Sequence, residues 1–599
     1  MSMVAPKGRY ARLEKIRLLE GSAFAGNMAR DLMYLRRLDA DRMLYNFRKA
    51  FGIQTDAEPL GGWESPDGLL RGHSTGHFLS ALAIAVSATG DAELAEKLAY
   101  TVHELRVMQL MSKGDPAAFV TSCTPEDTDQ EKWSRDPSVW GEGYLSAYPP
   151  DQFALLEQFT PYAKIWAPYY TLHKIVAGLL EAAERTGNTE ALDCARGIGD
   201  WVYARLGALT PERRKRMWSL YIAGEYGGMN ESMARLALLT GEGKYLEAAR
   251  MFDNENIFPS LAEGEDSFHG LHANQHIPQI MGAMLEYEAS GETRYRRVAR
   301  SFFDHALRHH MYAIGGVGQG ERFGEPDVLA KRIKGGTNCE TCATYNLLKL
   351  ARELYAFDPE NAELMDYAER ALFNHILASQ DPREPETNAV TYMLPIGPGA
   401  EKEYSDDWHS FTCCHGTGME NHVKYPDTAL FDAGETVYLN QFVPAEYGDD
   451  GFSVRVDVSF PTGEGRITVK GSRAVTLKLR IPPWCLSDPF FAEGLVTAGR
   501  YAVLRHESGA EQIIGVRFAY RTRLEFTPDL TDDGHRLAAL CYGPFVMVTS
   551  DPSKEYLTLA ADAHAEPLTD RFGLSFSGRD FVPIYEVHGM PYHTYFKIE

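Results

Sequence analysis

The chain has 599 residues, too many for one compact core, so two or three domains are expected. Its composition is that of a soluble globular protein, 44% hydrophobic and 24% charged. A net charge of −23 excludes nucleic acid and anionic membranes as partners, since both would be repelled.

The N-terminus, MSMVAPKGRYARLEKIRLLEG, carries charge in every turn and lacks the apolar run of a signal peptide. A cytoplasmic location and reduced thiols follow as expectations. The most apolar stretch, FLSALAIAVSA at 78–88, falls short of the roughly 20 residues that a membrane span needs. Apolar residues then recur at helical spacing in 77–88, 172–185, 230–239, 279–289 and 343–356, the last through Leu347, Leu348, Ala351, Leu354 and Tyr355. Most of these stripes end alike, in SATGDAEL, ERTGNTEAL, LLTGEGKYL and EASGETRYR. Each offers a glycine for a left-handed C-cap and then a polar residue to start another helix. AFDPENAEL does the same with a proline. The marks recur about every fifty residues, the length of a helical hairpin, so about six hairpins are expected. They could close into an (α/α)6 barrel or stay open as a solenoid. Segment 112–160, rich in Pro, Gly and Trp, reads as long loops over one rim.

Past residue 430 the period falls to two. GFSVRVDVSF sets Val454, Val456, Val458 and Phe460 against Ser453, Arg455, Asp457 and Ser459. RITVKG and AVTLKLRIPPW follow the same rule, and PYHTYFKIE closes the chain. The expected fold is multidomain, α plus β: a helical domain over 1–430, then a firmly packed antiparallel β-sandwich region over 431–599.

Three sets of residues could carry chemistry. Four of the eight cysteines lie in two short segments, Cys339/Cys342 and Cys413/Cys414, which is unlike a disulfide framework. A bond between neighbours 413 and 414 would need a strained ring. Spacing alone leaves metal ligands and buried core thiols equally open. Among carboxylates, Glu340 sits between two thiols at a helix start and Glu321 in the Gly-rich GGVGQGERFGEPD. The third set is aromatic and polar: Trp63, His73 and His77 in GGWESPDGLLRGHSTGH, His173 in WAPYYTLHK, EYGGMNE, and His272 in LHANQHIP. Such mixtures suit a sugar, which stacks by its C–H face and needs donors and acceptors for its hydroxyls.

The succession GGWE, GHSTGH, WAPYYTLHK, EYGGMNE, LHANQHIP, GGVGQGERF, ETCATYNLLKLARELY and TCCHGTGMENHVKY resembles the β-L-arabinofuranosidases of glycoside hydrolase family 127 and the related family 146. RIPPW and YFKIE resemble that family's β region, and the stretch around EYGGMNE and LHANQHIP is closer to family 146. The resemblance implies an (α/α)6 barrel followed by β-sandwich domains. It also implies a retaining, zinc-dependent exo-glycosidase acting through a cysteine. Carried over, Cys413 is the nucleophile and Glu340 the general acid/base. Glu321, Cys342, Cys414 and Cys413 hold Zn2+. Glu369 and Tyr392 touch the sugar, with His173 and His272, then His73 and His77, as its histidine partners. Cys339 and Glu325 are additional candidates for the metal. The implied partner is an oligosaccharide or glycoside from plant glycans, with no nucleic acid or membrane; a homodimer is admitted. Two rivals remain: the same fold with a structural zinc and a carboxylate pair, and a carbohydrate-binding helical scaffold without hydrolysis.

Overall fold

The computed structural model describes residues 3–449, 451–485, 489–491 and 495–599. The helical part opens with α1 (Ala23–Arg37) and α2 (Ala40–Ala50), followed by the hairpin of α3 (His73–Thr89) and α4 (Ala92–Gln109). After a short α5 (Asp151–Glu157) come α6 (Pro168–Thr186) and α7 (Thr189–Gly207). Past α8 (Pro211–Trp218) lie α9 (Met229–Thr240) and α10 (Gly243–Arg250). Past α11 (Phe258–Ala262) lie α12 (Ala273–Ser290) and α13 (Thr293–His309). The hairpin α14 (Thr341–Phe357) and α15 (Ala362–Ala371) follows, and α16 (Cys413–Asn421) is last.

Four hairpins turn on glycines in the left-handed region, Gly90, Gly187, Gly241 and Gly291, as the punctuation predicts. Each N–H closes on a carbonyl four residues back, and Asp91 and Asn188 then cap the returning helices. The fifth turns at Asp358, and Asn361 caps α15.

The choice between solenoid and barrel is made by long-range packing. Helices α3, α6, α9, α12, α14 and α16 touch in that order, and α16 returns to α3, closing an inner ring. The returning helices lie outside it, with α1 as the sixth, its Tyr34 hydroxyl 3.1 Å from His415 Nε2 of α16. This is an (α/α)6 barrel. Closure demands a tight crossing of α3 and α6: a Cβ on Gly76 would lie 2.1 Å from the Lys174 carbonyl. Among the described residues, no helix is long and apolar enough to cross a membrane.

Among the described residues, two six-stranded sheets and a nine-stranded sheet follow. Phe452, Val454, Val456 and Val458 point inward along Phe452–Ser459, and Phe460 lies just past its end. The first four share one core with Leu477 and Leu479 of the facing sheet, which makes the sandwich, whereas Phe460 packs in another cluster with Phe373 and Phe545. The β region is not confined to 431–599, however. Strand Arg9–Tyr10 pairs with Leu430–Asp432, and Ile16–Leu18 with Ala445–Asp449.

Ion pairs join the two parts. Arg480, fully buried, sets Nη2 3.0 Å from Glu369 Oε1 and also pairs with Asp366. Arg370 of α15 grips Glu525 of strand Thr522–Leu530. Burial alone would raise the Glu525 carboxyl, but the charge and hydrogen bonds of Arg370, with Arg523 beside it, hold it at about 2. A folded value depressed below the ordinary 4.5 contributes stability above that pH and loses it as the pH falls towards 2. Glu525→Gln is therefore expected to flatten the loss of stability across that window and to cost about 1–3 kcal/mol at neutral pH. Denaturant unfolding at stepped pH checks both.

Candidate active site and metal centre

An outer helix returns the chain between successive inner ones, so the inner helices run the same way and their N-termini share one rim. That rim carries His73 and His77 on α3, Tyr170 and His173 on α6, Glu231 on α9, His272 before α12, Glu340 and Cys342 at α14, and Cys413 and Cys414 at α16. Partial positive charge at helix starts favours anionic groups there.

Two starts converge. Glu340 is the N-cap of α14 and Cys342 lies in its first turn, while Cys413 and Cys414 open α16 behind the N-cap Thr412. Both are entered through residues of positive φ, Cys339 at 62° and Phe411 at 43°. The α14 start is pinned by Thr341 N–H to the Tyr392 carbonyl at 2.9 Å and Leu394 N–H to the Cys339 carbonyl at 3.0 Å.

The ligand atoms of Glu340, Cys342, Cys413 and Cys414 all lie within 4.8 Å of one another. Cys413 Sγ is 3.9 Å from Cys414 Sγ and 3.5 Å from Glu340 Oε1, which is 3.8 Å from Cys414 Sγ. All eight cysteines are free. In a tetrahedral site with metal–sulfur bonds of about 2.3 Å and metal–oxygen bonds of about 2.0 Å, sulfurs lie about 3.8 Å apart and sulfur to oxygen about 3.5 Å. The observed spacings match those edges. Glu340 Oε2 is buried without a hydrogen-bond partner, as befits a carboxylate meant for an ion. The charges also ask for a cation. Burial alone would raise Cys342, but hydrogen bonds from Cys413 and Cys414 bring it to about 6; burial and Cys342 push Cys413 up to about 12. Burial and Cys413 raise Glu340 well above the carboxylate range.

The ligand set that the resemblance implied has Glu321 beside the three thiols; in the structure the carboxylate grouped with them is Glu340, and Glu321 falls in a second group with His272 and Glu340. Glu321 stands one step outward, its side chain 35% exposed, with Oε2 3.3 Å from His272 Nε2 and the Tyr392 hydroxyl donating to it. Burial alone would lower His272, but Glu321 and the charges of Glu340 and Glu225 raise it to about 9, and that bond holds Glu321 low. Tyr392 is also 3.5 Å from Cys413 Sγ. Cys339 is turned away, packed among Tyr312 and Ile314. Glu325 is exposed and outside the donor cluster.

The remaining candidates divide. Trp63 and Tyr392 pack on the apolar wall formed by Leu70, Ala167, Tyr170 and the three thiols. His73 bonds the Leu70 carbonyl at 2.9 Å and Glu64 at 3.0 Å and faces Trp63 and Tyr170. His77 Nδ1 is 2.6 Å from Glu420 of α16, a bond that clamps the ring closed. His173 Nδ1 accepts from Gly228 N–H at 3.1 Å. A Cβ on Gly228 would lie 2.8 Å from the His173 ring, which explains the glycines of EYGGMNE. Glu369 is not brought to the site: its carboxylate is taken by Arg480 and by Trp484 Nε1 at 3.0 Å, both from the β region. Trp166, Tyr170 and Glu225 were not singled out from the sequence, although WAPYYTLHK and EYGGMNE contain them. Burial pushes Glu225 up to about 7, beside His272 and Glu321.

The model of the GH127 β-L-arabinofuranosidase catalytic domain matches residues 15–427. A solved GH127 β-arabinofuranosidase shares the fold with TM-score 0.72 at 14% identity, over 99% of this chain and 98% of that one. A GH127 β-L-arabinofuranosidase from Geobacillus stearothermophilus T6 does so with TM-score 0.69 at 16% identity, over 98% and 100%. No curated protein matches the sequence. The chain is thus a glycoside hydrolase built on an (α/α)6 barrel. Within that class, it belongs to family GH127.

The purified protein is expected to hold one divalent metal ion per chain, measured by elemental analysis after extensive dialysis. Cys414→Ser should weaken binding by more than the roughly 10–100-fold that loss of an outer partner costs. Cys339→Ser should leave metal content unchanged.

Proposed function

We propose that this protein is a retaining exo-glycosidase that removes terminal β-L-arabinofuranosyl residues. In this reading Cys413 is the nucleophile, Glu321 the proton donor and acceptor, and Glu340, Cys342, Cys413 and Cys414 hold zinc. One observation carries the assignment: the Tyr392 hydroxyl reaches both Cys413 Sγ and the Glu321 carboxylate, so a thiol and a carboxylate flank one point. Glu340, 1% exposed, is enclosed among the thiols as a metal donor, whereas the Glu321 side chain is 35% exposed and so better placed to exchange protons with a leaving group and water. The jobs implied for the two glutamates by the resemblance are thereby exchanged.

Three thiols and one carboxylate suit zinc and not magnesium or calcium, which prefer oxygen alone. Bound zinc supplies deprotonated thiols and eases a thiolate's departure from carbon. The protein's own groups do the rest. Cys413 Sγ bonds to the anomeric carbon as the glycosidic C–O bond breaks, and Glu321 protonates the departing oxygen. Water then attacks the same carbon, gives its proton to Glu321 and displaces Cys413; two inversions give net retention. Trp63 and Tyr170 offer apolar faces to the sugar, and His73, His173 and His272 offer partners for its hydroxyls.

A second reading is favoured by Glu225. A carboxyl at about 7 beside a low one is the pattern of a glycosidase acid and its partner, with the thiols then purely structural. Activity on p-nitrophenyl β-L-arabinofuranoside separates the two. Cys413→Ala, assayed with saturating metal so that the other three ligands stay loaded, is expected to fold and to lose roughly 10⁴-fold or more in kcat, the scale of a removed nucleophile. Glu321→Gln should cost about 10²–10⁴-fold on alkyl glycosides and less on nitrophenyl ones. Substantial turnover by Cys413→Ala would hand the chemistry to the carboxylate pair.

A further inference from the structure

The long connection between α4 and α6 lies against one side of the rim and is firmly held. Its Asp151 accepts from Ser134 N–H at 3.0 Å, Trp140 Nε1 donates to Ser134 Oγ at 2.8 Å, and Trp166 N–H donates to Gln152 Oε1 at 3.1 Å. From that connection an aromatic run leads outward from the thiols. Trp63 packs on the wall that holds Cys413. Trp166 meets Trp63 with ring centroids 5.1 Å apart and planes at 60°, and Tyr162 meets Trp166 at 5.5 Å and 72°.

Tyr162 is 40% exposed, while Cys413 at the inner end is 3% exposed. A lone surface tyrosine needs no explanation. This one ends a continuous series of rings whose inner members, Trp63 and Trp166, pack against the cluster that includes Cys413, on a connection held by half-buried hydrogen bonds. The rings meet edge to face and do not stack on one another, which leaves aromatic faces for a ligand. Sugars present C–H faces that pack on such rings. Exposure rises from Cys413 to Tyr162, so the outer rings stand beside the part of the substrate that departs.

We propose that Trp166 and Tyr162 form a stacking subsite for the sugar ring on the leaving-group side of the cleaved bond. This rests on Cys413 as the reacting group. The enzyme therefore prefers a substrate whose leaving group is itself a sugar.

The test compares the metal-loaded full-length enzyme and its variants on methyl β-L-arabinofuranoside and on a disaccharide with the same terminal residue. Tyr162→Ala is expected to lower kcat/KM on the disaccharide roughly 3–10-fold, through KM, and to leave the methyl glycoside unchanged. Tyr162→Phe, which keeps the ring, should match wild type on both. Equal losses on the two substrates, or no loss on the disaccharide, would overturn the subsite alone. A wild-type enzyme idle on both substrates would overturn the catalytic reading and the subsite with it. An unchanged unfolding midpoint shows that the variants are folded.

Discussion

Six helices closed into a ring with their N-termini at one rim form the constraint from which the site follows. Each start adds a partial positive charge, and the ring brings the starts of α14 and α16 side by side. Three thiols and a carboxylate confined to 4.8 Å would repel one another as anions anywhere else. Here two helix ends face them, and the donor spacing accommodates a cation that balances the rest. The β region contributes none of these donors. Its part is to hold α15 in place through Arg480 and Glu525.

The approach to the cluster is made by unusual backbone. Cys339, Phe411 and Glu321 all lie at positive φ, a conformation that costs about 1 kcal/mol or more for a residue with a side chain. At Cys339 the turn sends one thiol towards Tyr312 and presents the next residue, Glu340, to the metal donors. Two neighbouring residues thus serve opposite sides of the same wall. Backbone bonds from Thr341 N–H to the Tyr392 carbonyl and from Leu394 N–H to the Cys339 carbonyl hold that turn in place.

How much of this was legible follows from how local each signal is. The glycine turns at Gly90, Gly187, Gly241 and Gly291 could be read because a left-handed cap is set by the residue itself. Alternation along Phe452–Ser459 could be read for the same reason. Closure of the ring could not, because it depends on α16 meeting α3, more than three hundred residues earlier in the chain. Glu321 and Glu340 look alike in sequence, each beside groups able to bind a metal; only Tyr392 and His272, brought in from elsewhere, tell them apart. The partners of Glu369 are equally illegible locally, because Arg480 and Trp484, which hold its carboxylate, come from the β region.

The two N-terminal strands have a consequence for how the protein is made. Arg9 finds its partner at Asp432, and Ile16 at Tyr447, after the whole barrel has been synthesised. At ribosomal rates of about 5–20 residues per second, those strands wait on the order of half a minute or more before their hydrogen bonds can form. The barrel must therefore emerge with its leading end unanchored. That end is then sewn into sheets whose other strands come from residues 430–518.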